Sequence, residues 1–265
     1  MKKVITFLIL IFIRTFIFSL QSNAAAVKFV QVTDVHINRY NIEHLSSFVK
    51  EINHYNDIDF VVFTGDNIDN PNIDDLENFL SEIRKIKFKT YVLIGNHDVF
   101  KYKNLDKVLY MKTVKKYLGA YHSDKPNYVF IKNGVVFIAM DGVKEVIPAP
   151  NGYYRESELE WLEKTLNKYH DKKVVILQHF PLIETNVEGH NTYARETYLE
   201  LLKRHNNVMA VISGHYHKNK EEKINNVYHI VTKNFSNNRY YKIIEIDTDS
   251  DMIYTILKDN ENESF

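Results

Sequence analysis

The sequence of 265 residues contains no cysteine, and this absence sets the first limits on its chemistry. Without thiols the chain can form no disulfide and no thiolate metal site, and it offers neither a cysteine nucleophile nor a cysteine for lipid attachment. Charge of one sign is not in excess either, because 34 lysines and arginines balance 34 aspartates and glutamates. No overall field therefore favours nucleic acid or an anionic membrane surface as a partner. Any metal site must use nitrogen and oxygen ligands.

The bulk composition is that of a globular protein. Hydrophobic residues make up 45% of the chain and charged residues 26%, so folding by burial of a core is expected. The length suits one sizeable α/β or all-β domain. The sequence shows no linker, internal repeat or low-complexity block. We therefore expect a single domain over residues 25–265, with a frayed end at "DNENESF".

The first 24 residues differ from the rest. Lys2 and Lys3 precede an apolar run over residues 4–20, and the small residues Ser22 and Ala24 follow it. This order of basic, apolar and small residues predicts a cleaved secretory signal peptide, and hence a periplasmic or secreted protein. The alternative is an uncleaved N-terminal membrane anchor, since the run is near the lower length limit for a span.

The next part of the chain alternates short β-branched runs with longer amphipathic stretches. Strands are predicted at "VKFVQVT", "DFVVFTG" and "TYVLIG", and helices at Ile42 to Ile52 and Ile73 to Ile86. Apolar strands separated by helical periods predict a mainly parallel sheet that is buried on both faces.

Further elements follow in the second half. Asn133-Gly134 between two apolar runs predicts a β-hairpin. Ser157, with Glu160 three residues later, predicts a helix start with a capping box, and a further helix is expected from Thr192 to Lys203. The alternating runs "NVYHIVT", "YYKIIEID" and "MIYTILK" predict a second, antiparallel sheet. The chain as a whole is predicted to form one α/β sandwich.

Potential metal ligands follow five of the predicted strands. They are Asp34 and His36, Asp66, Asn96 and the adjacent His97, His179, and His215 with His217. In open α/β sheets, binding sites form beyond the carboxyl ends of the strands, so these residues can converge. Each residue alone is better explained as a helix cap, a turn residue or a hydrogen-bonded polar group at a strand end. Their joint occurrence at strand ends favours a metal site.

The blocks that carry these residues resemble the calcineurin-like metallophosphoesterases. The matching blocks are "DVH", "GDNID", "GNHD", "QHFP" and "GHYH", in the family's order and over roughly residues 28 to 220. The resemblance implies a four-layer α/β/β/α sandwich with two mixed β-sheets flanked by helices. It also implies a phosphoesterase that hydrolyses a small phosphomonoester or phosphodiester substrate by attack of a metal-bound hydroxide.

The resemblance further implies a role for each matching residue. One metal ion would be held by Asp34, His36, Asp66 and His217, and the other by Asp66, Asn96, His179 and His215, with Asp66 as the bridge. His97 would be a non-ligand histidine that donates a proton to the leaving group. Oxygen and imidazole ligands without sulfur suit Mn, Fe or Zn.

Three residues bear on the subclass and the substrate. Asp69 stands where purple acid phosphatases have a tyrosine, so the pattern is more similar to the cyclic-nucleotide phosphodiesterase branch. His190 and Arg155 are candidate substrate contacts, although a surface loop histidine and an exposed helix-flanking arginine are the simpler interpretations.

Two other functions stay open at this point. One is a non-catalytic metal-binding or scaffold protein on the same fold. The other is an enzyme that acts on an envelope lipid, which a hydrophobic groove beside the metal site would favour over a small nucleotide pocket.

Overall fold

A computed structural model describes residues 26–38, 41–185 and 190–259. The predicted signal peptide lies outside the described residues, and so does the predicted frayed end beyond Asp259. Within the described ranges, no helix combines the length and the apolar character that crossing a membrane requires.

The described chain forms thirteen strands and six α-helices. The strands are β1 (Ala26–Val32), β2 (Phe60–Phe63), β3 (Lys89–Val92), β4 (Tyr128–Lys132), β5 (Val135–Met140), β6 (Gly152–Tyr153), β7 (Val174–Gln178), β8 (Thr192–Tyr193), β9 (Val208–Ser213), β10 (Lys220–Ile224), β11 (Val227–Val231), β12 (Tyr240–Asp247) and β13 (Met252–Asp259). The helices are α1 (Ile42–Ile52), α2 (Ile73–Ile83), α3 (Lys107–Leu118), α4 (Glu156–Lys168), α5 (Arg195–Lys203) and α6 (Phe235–Asn238).

The first sheet has five strands in the order β13-β12-β1-β2-β3. β1, β2 and β3 are parallel, as the alternation of strands and helices predicts, and β12 and β13 add two antiparallel strands at one edge. α1 and α2 cover one face of this sheet. Phe63 of β2 contacts Phe48 of α1 and Phe79 of α2 edge-on, with ring centroids 6.3 and 5.2 Å away.

The second sheet has six strands in the order β10-β11-β9-β7-β5-β4. Its four central strands are parallel, and the hairpin predicted at Asn133-Gly134 joins β4 to β5. Asn133 and Gly134 have φ angles of 47° and 81°, the left-handed conformation that a two-residue hairpin turn requires. α4 and α5 cover the outer face, where Leu162 and Leu202 pack with Ile138 of β5.

The inner faces of the two sheets meet through aromatic side chains. Phe137 of β5 lies with its ring centroid 4.9 Å from that of Phe60 in β2 and 5.5 Å from that of Phe29 in β1. These residues are fully buried and belong to one continuous core. The architecture is therefore the expected four-layer α/β/β/α sandwich with two mixed β-sheets.

Three local predictions differ from the structure. The tail strands do not form a separate antiparallel sheet, because β12 and β13 extend the first sheet and β11 joins the second sheet parallel to β9. α4 begins at Glu156, and the backbone N–H of Arg155 donates to Glu158, so the capping partner lies two residues before the predicted one. α5 begins at Arg195, because Thr192 pairs with Gly152 in a small parallel ribbon.

Candidate metal centre

The residues predicted to bind metal all lie just beyond the carboxyl ends of strands. Asp34 and His36 follow β1, Asp66 follows β2, Asn96 follows β3, His179 follows β7, and His215 and His217 follow β9. The first four belong to the first sheet and the last three to the second. The site therefore lies where the carboxyl edges of the two sheets meet.

The first cluster contains Asp34, His36 and His217, whose ligand atoms all lie within 4.8 Å of one another. Asp34 Oδ1 is 3.2 Å from Nε2 of His217. His36 Nε2 is 3.8 Å from Oδ2 of Asp66. One carboxylate and two imidazoles thus face a common point, with a second carboxylate at its edge.

The second cluster contains Asp66, His179 and His215 within the same distance limit of 4.8 Å. Nε2 of His179 lies 3.3 Å from Oδ2 of Asp66 and 3.2 Å from Oδ1 of Asn96. The same Asp66 oxygen therefore faces His36 on one side and His179 on the other. This is the position that a bridging carboxylate between two cations requires.

In Asp34 and Asp66, one carboxylate oxygen accepts hydrogen bonds from the protein and the other faces the candidate site. Oδ2 of Asp34 accepts hydrogen bonds from the Thr33 hydroxyl at 2.8 Å and from the backbone N–H of His215 at 2.9 Å. Oδ1 of Asp66 accepts one from the backbone N–H of His97 at 2.8 Å. In each case the other oxygen faces the histidines. Each carboxylate is thus held in place by the chain and leaves one oxygen for a ligand.

The imidazoles are similarly oriented for coordination. Nδ1 of His179 lies 2.9 Å from the carbonyl oxygen of Thr64, to which a protonated Nδ1 donates, so that Nε2 faces the site. Nε2 of His36 and Nε2 of His215 are buried and have no hydrogen-bond partner. A buried imidazole nitrogen without a partner is costly unless it binds something. Together with the oxygen donors nearby, this donor set fits hard or borderline divalent ions such as Mn, Fe and Zn.

The electrostatics of the cluster favour a bound cation. Burial alone would raise the pKa of Asp66, but His179 beside it lowers the pKa below its usual range. Conversely, burial would lower the pKa of His179, but the Asp66 carboxylate raises it to about 9. Burial, with His179 nearby, lowers the pKa of His215 to about 3. The raised pKa of His179 favours its protonated form, so a metal ion would compete with that proton for Nε2.

Five of the candidate ligands have left-handed backbone conformations. The φ angles are 54° for Asp34, 49° for His36, 52° for Asp66, 66° for His215 and 54° for His217. Such angles are uncommon outside glycine and persist where the surrounding structure enforces them. Here the backbone N–H of Asp34 donates to the carbonyl of Gly65, and that of His36 to the carbonyl of Asp66, both at 3.0 Å.

Two glycines before candidate ligands allow their loops to approach the aspartates closely. A Cβ on Gly95 would lie 2.2 Å from Oδ1 of Asp66, and one on Gly214 would lie 1.8 Å from the Thr33 hydroxyl oxygen. Both contacts are far below van der Waals distance. These loops can approach the aspartates only because the positions carry no side chain.

His97 lies beside the clusters and is solvent-exposed. Its Nδ1 is 2.8 Å from the backbone carbonyl oxygen of Asp69, and its ring centroid is 4.7 Å from that of His36. His97 and Asn96 also line a groove of about 690 Å³ on the protein surface. His97 also forms a third group of possible ligands with His36 and Asp69, whose ligand atoms lie within 4.8 Å of one another. Its role as a non-ligand histidine stays a prediction.

The two candidate substrate contacts have different surroundings. The ring centroid of His190 lies 4.9 Å from that of His215, so His190 is close to the second cluster. Arg155 instead precedes α4, where its guanidinium lies 3.9 Å from the carboxylate of Glu158 and is half exposed. A substrate role for either residue stays a prediction.

The structure also reveals a supporting residue to which the sequence did not assign a role. Asp98 is fully buried, and its carboxylate accepts hydrogen bonds from the backbone N–H groups of Gly95 at 2.7 Å, Asn67 at 2.8 Å and Ile68 at 3.1 Å. It thereby joins the loop that carries Asp66 to the loop that carries Asn96. Its place in the "GNHD" block was the available signal, but a capping or surface role explained it equally well.

Comparison with known proteins identifies the family. The profile of the calcineurin-like phosphoesterases matches residues 27–219. A relative from Arcobacter nitrofigilis, named "Probable glycerophosphodiester phosphodiesterase GpdQ", is 29% identical over 203 residues, which is 71% of each chain. A relative from Haemophilus influenzae, named "3',5'-cyclic adenosine monophosphate phosphodiesterase CpdA", is 22% identical over 217 residues, 77% of this chain and 74% of that one.

The fold is shared with solved structures as well. The crystal structure of a dimetal phosphatase from Danio rerio superimposes with a TM-score of 0.65 at 14% identity, over 87% of this chain and 98% of that one. With the profile covering most of its length, the chain belongs to the calcineurin-like phosphoesterase family and is a metal-dependent phosphoric ester hydrolase.

Proposed function

We propose that the protein is a phosphodiesterase with a dinuclear metal centre. One observation carries this proposal: a single buried oxygen, Oδ2 of Asp66, lies 3.8 Å from Nε2 of His36 and 3.3 Å from Nε2 of His179. One ion would be held by Asp34, His36, Asp66 and His217, and the other by Asp66, Asn96, His179 and His215. When bound, the two ions would supply an activated water for attack on phosphorus and neutralise the charge of the phosphate.

The chain itself supplies orientation and proton transfer. His97 is held by the bond between its Nδ1 and the Asp69 carbonyl and by the bond from its backbone N–H to Asp66. In this position its Nε2 can give a proton to the departing alkoxide, as a general acid. The protein groups that hold Asp34 and Asp66 keep their free oxygens in place, so little reorganisation is needed on substrate binding.

A diester is favoured over a monoester by the relatives. Both curated relatives are named as phosphodiesterases, one for glycerophosphodiesters and one for cyclic adenosine monophosphate. Asp69 supports this assignment, because it occupies the position of the purple acid phosphatase tyrosine and its Oδ1 lies 3.8 Å from Nδ1 of His36.

Metal analysis combined with turnover tests the proposal. The purified chain should bind two equivalents of Mn, Fe or Zn and hydrolyse bis(4-nitrophenyl) phosphate faster than 4-nitrophenyl phosphate. Asp66→Asn should lower the occupancy of both ions. His97→Ala should retain both ions and reduce kcat about 10²- to 10⁴-fold, as expected for loss of a general acid.

His44→Ala is the matched control, since His44 is an exposed histidine on α1. This variant should match the wild type in both metal content and turnover. Equal metal loss in Asp66→Asn and His97→Ala would show that the two roles are assigned wrongly. A protein that binds two ions but hydrolyses neither ester would contradict the proposal.

A further inference from the structure

An apolar groove begins at the candidate metal centre. Its walls are formed by Phe100 and Tyr102 on one loop and by Val146, Ile147 and Pro148 on another. Asn96 and His97 also line it, so the groove is continuous with the site, and its volume is about 690 Å³. We refer to these residues as the apolar groove.

The groove exposes large apolar side chains to water. Ile147 is 74% exposed, Tyr102 73% and Val146 44%. Single exposed apolar residues are common on protein surfaces, but a group of them around a concave site marks a place that binds something apolar. The position beside His97 indicates a part of the substrate rather than another protein.

The segment that precedes the wall residues Val146, Ile147 and Pro148 is fixed to the rest of the fold. The backbone N–H of Lys101 donates to the carbonyl of Glu145 at 2.9 Å, and that of Lys107 donates to the Glu145 carboxylate at 2.8 Å. The buried Lys107 ammonium donates to the carbonyl of Val143 at 2.6 Å and forms an ion pair with Asp141. These contacts attach residues 141–145 to the start of α3. They hold in place the segment that leads into the wall residues Val146, Ile147 and Pro148.

The chemistry of the walls suits an alkyl chain better than a nucleobase. Pro71, Pro148 and Pro150 offer no backbone N–H, and the side chains of Val146 and Ile147 offer no hydrogen-bonding group. Besides Asn96 and His97, the polar side chains of the lining are Asp69, Asn70, Tyr102 and Lys103, so the wall formed by residues 146–148 is its apolar side. The rings of Phe100 and Tyr102 lie at 89° to each other, with centroids 5.8 Å apart. They are perpendicular, so they do not form a parallel slot in which a base could stack between them.

We propose that the apolar groove binds the alkyl chain of the leaving-group alcohol in an amphiphilic phosphate ester. The inference rests on the proposed function, because it places the ester phosphate at the metal centre and the leaving group beside His97. In the reaction, a water oxygen forms a bond to phosphorus and the bond from phosphorus to the alcohol oxygen breaks. The attacking water loses a proton to solvent, the alkoxide takes a proton from His97, and His97 regains one from solvent. The products are an apolar alcohol and the phosphate of the remaining head group.

Binding of alkylphosphonates tests the groove without turnover. These compounds keep a phosphonate anchor and carry a chain that cannot be hydrolysed off. Calorimetry on the full chain reconstituted with Mn²⁺, in detergent-free buffer, gives the dissociation constants of butyl- and octylphosphonate. The octyl compound should bind about tenfold more tightly, the gain expected from burying roughly half of its four extra methylene groups.

Ile147→Glu should remove most of this chain-length gain. Ile256→Glu is the matched control, because Ile256 is also an exposed isoleucine, at 54%, and lies on β13 outside the groove. It should keep the full gain.

Three results would overturn the inference while leaving the proposed function intact. They are equal affinity for both phosphonates in a protein that hydrolyses bis(4-nitrophenyl) phosphate, an unchanged gain in Ile147→Glu, or tighter binding of cyclic AMP than of octylphosphonate. A metal-loaded protein that neither binds phosphonates nor hydrolyses the aryl diester would overturn the proposed function, and this inference with it.

Discussion

The buried ring of His122 makes the stability of the protein depend on pH, and the size of the effect follows from the structure. His122 is 2% exposed, accepts a hydrogen bond on Nε2 from the backbone N–H of Val92 in β3 at 3.0 Å, and has Nδ1 2.9 Å from the carbonyl of Ser123. A neutral imidazole satisfies both contacts, whereas a protonated ring would turn the acceptor Nε2 into a donor that faces another donor. Burial lowers the pKa of His122 to about 4.

The direction in which stability changes with pH follows from the protonation of His122 in the folded and unfolded chains. The unfolded chain binds a proton below a pKa of about 6.5, while the folded chain resists it until about 4. The stability that His122 contributes is therefore complete above pH 6.5 and is lost as the pH falls towards 4. The full loss is about 3 kcal/mol, and most of it falls between pH 8 and pH 4.5.

Urea unfolding of the metal-free protein at these two pH values measures the effect. His122→Gln keeps an acceptor near Val92 and cannot titrate. Its loss of stability on acidification should therefore be smaller than that of the wild type by about 2 to 3 kcal/mol. His44→Gln, an exposed histidine on α1, should follow the wild type. Parallel pH profiles for the wild type and His122→Gln would refute the reasoning, because other titrating groups are common to both.

Two further predictions concern metal retention. Gly214→Ala places a methyl group 1.8 Å from the Thr33 hydroxyl oxygen and 2.6 Å from Oδ2 of Asp34. It should therefore displace that carboxylate and lower the metal content measured by atomic emission. A variant with the metal content of the wild type would contradict this. Asp98→Asn should lower metal content as well, because an amide retains only one of two accepting oxygens. Asp106→Asn is the control. It should leave metal content unchanged, since asparagine caps α3 equally well. Equal metal content in these two variants would refute the role of Asp98.

Local signals in the sequence predicted α1 and the hairpin well, and placed the other predicted helices to within a few residues at their ends. α1 has the predicted bounds, and the Asn133-Gly134 turn has the predicted left-handed geometry, because both depend on residues that are close in sequence. The capping box predicted at Ser157 is wrong, because two glutamates near the start of the helix fit the same short pattern. Glu158 and Glu160 both offer a carboxylate near the start of α4, and the sequence pattern cannot tell which one is N3.

Long-range pairing was not predictable in the same way. The alternation in β12 and β13 predicts half-exposed strands, which is correct for β13 and wrong for β12, where residues 241–244 are all buried. It carries no information about which sheet the strands join. The candidate ligands were easier to predict, since each follows a strand and the family's blocks fix their order. The groove was not predictable, because its two walls come from loops some 45 residues apart that are joined by the buried Lys107.

The left-handed backbone conformations of five candidate ligands lower the folding stability of the protein. Each such residue costs about 1 kcal/mol relative to glycine in the same conformation, so the set amounts to roughly 5 kcal/mol of a fold whose total stability is of similar order. Glycine at His36 or His217 would relieve this strain and remove a candidate ligand. Selection for heat resistance alone would therefore be expected to erode the metal centre before it improved the core.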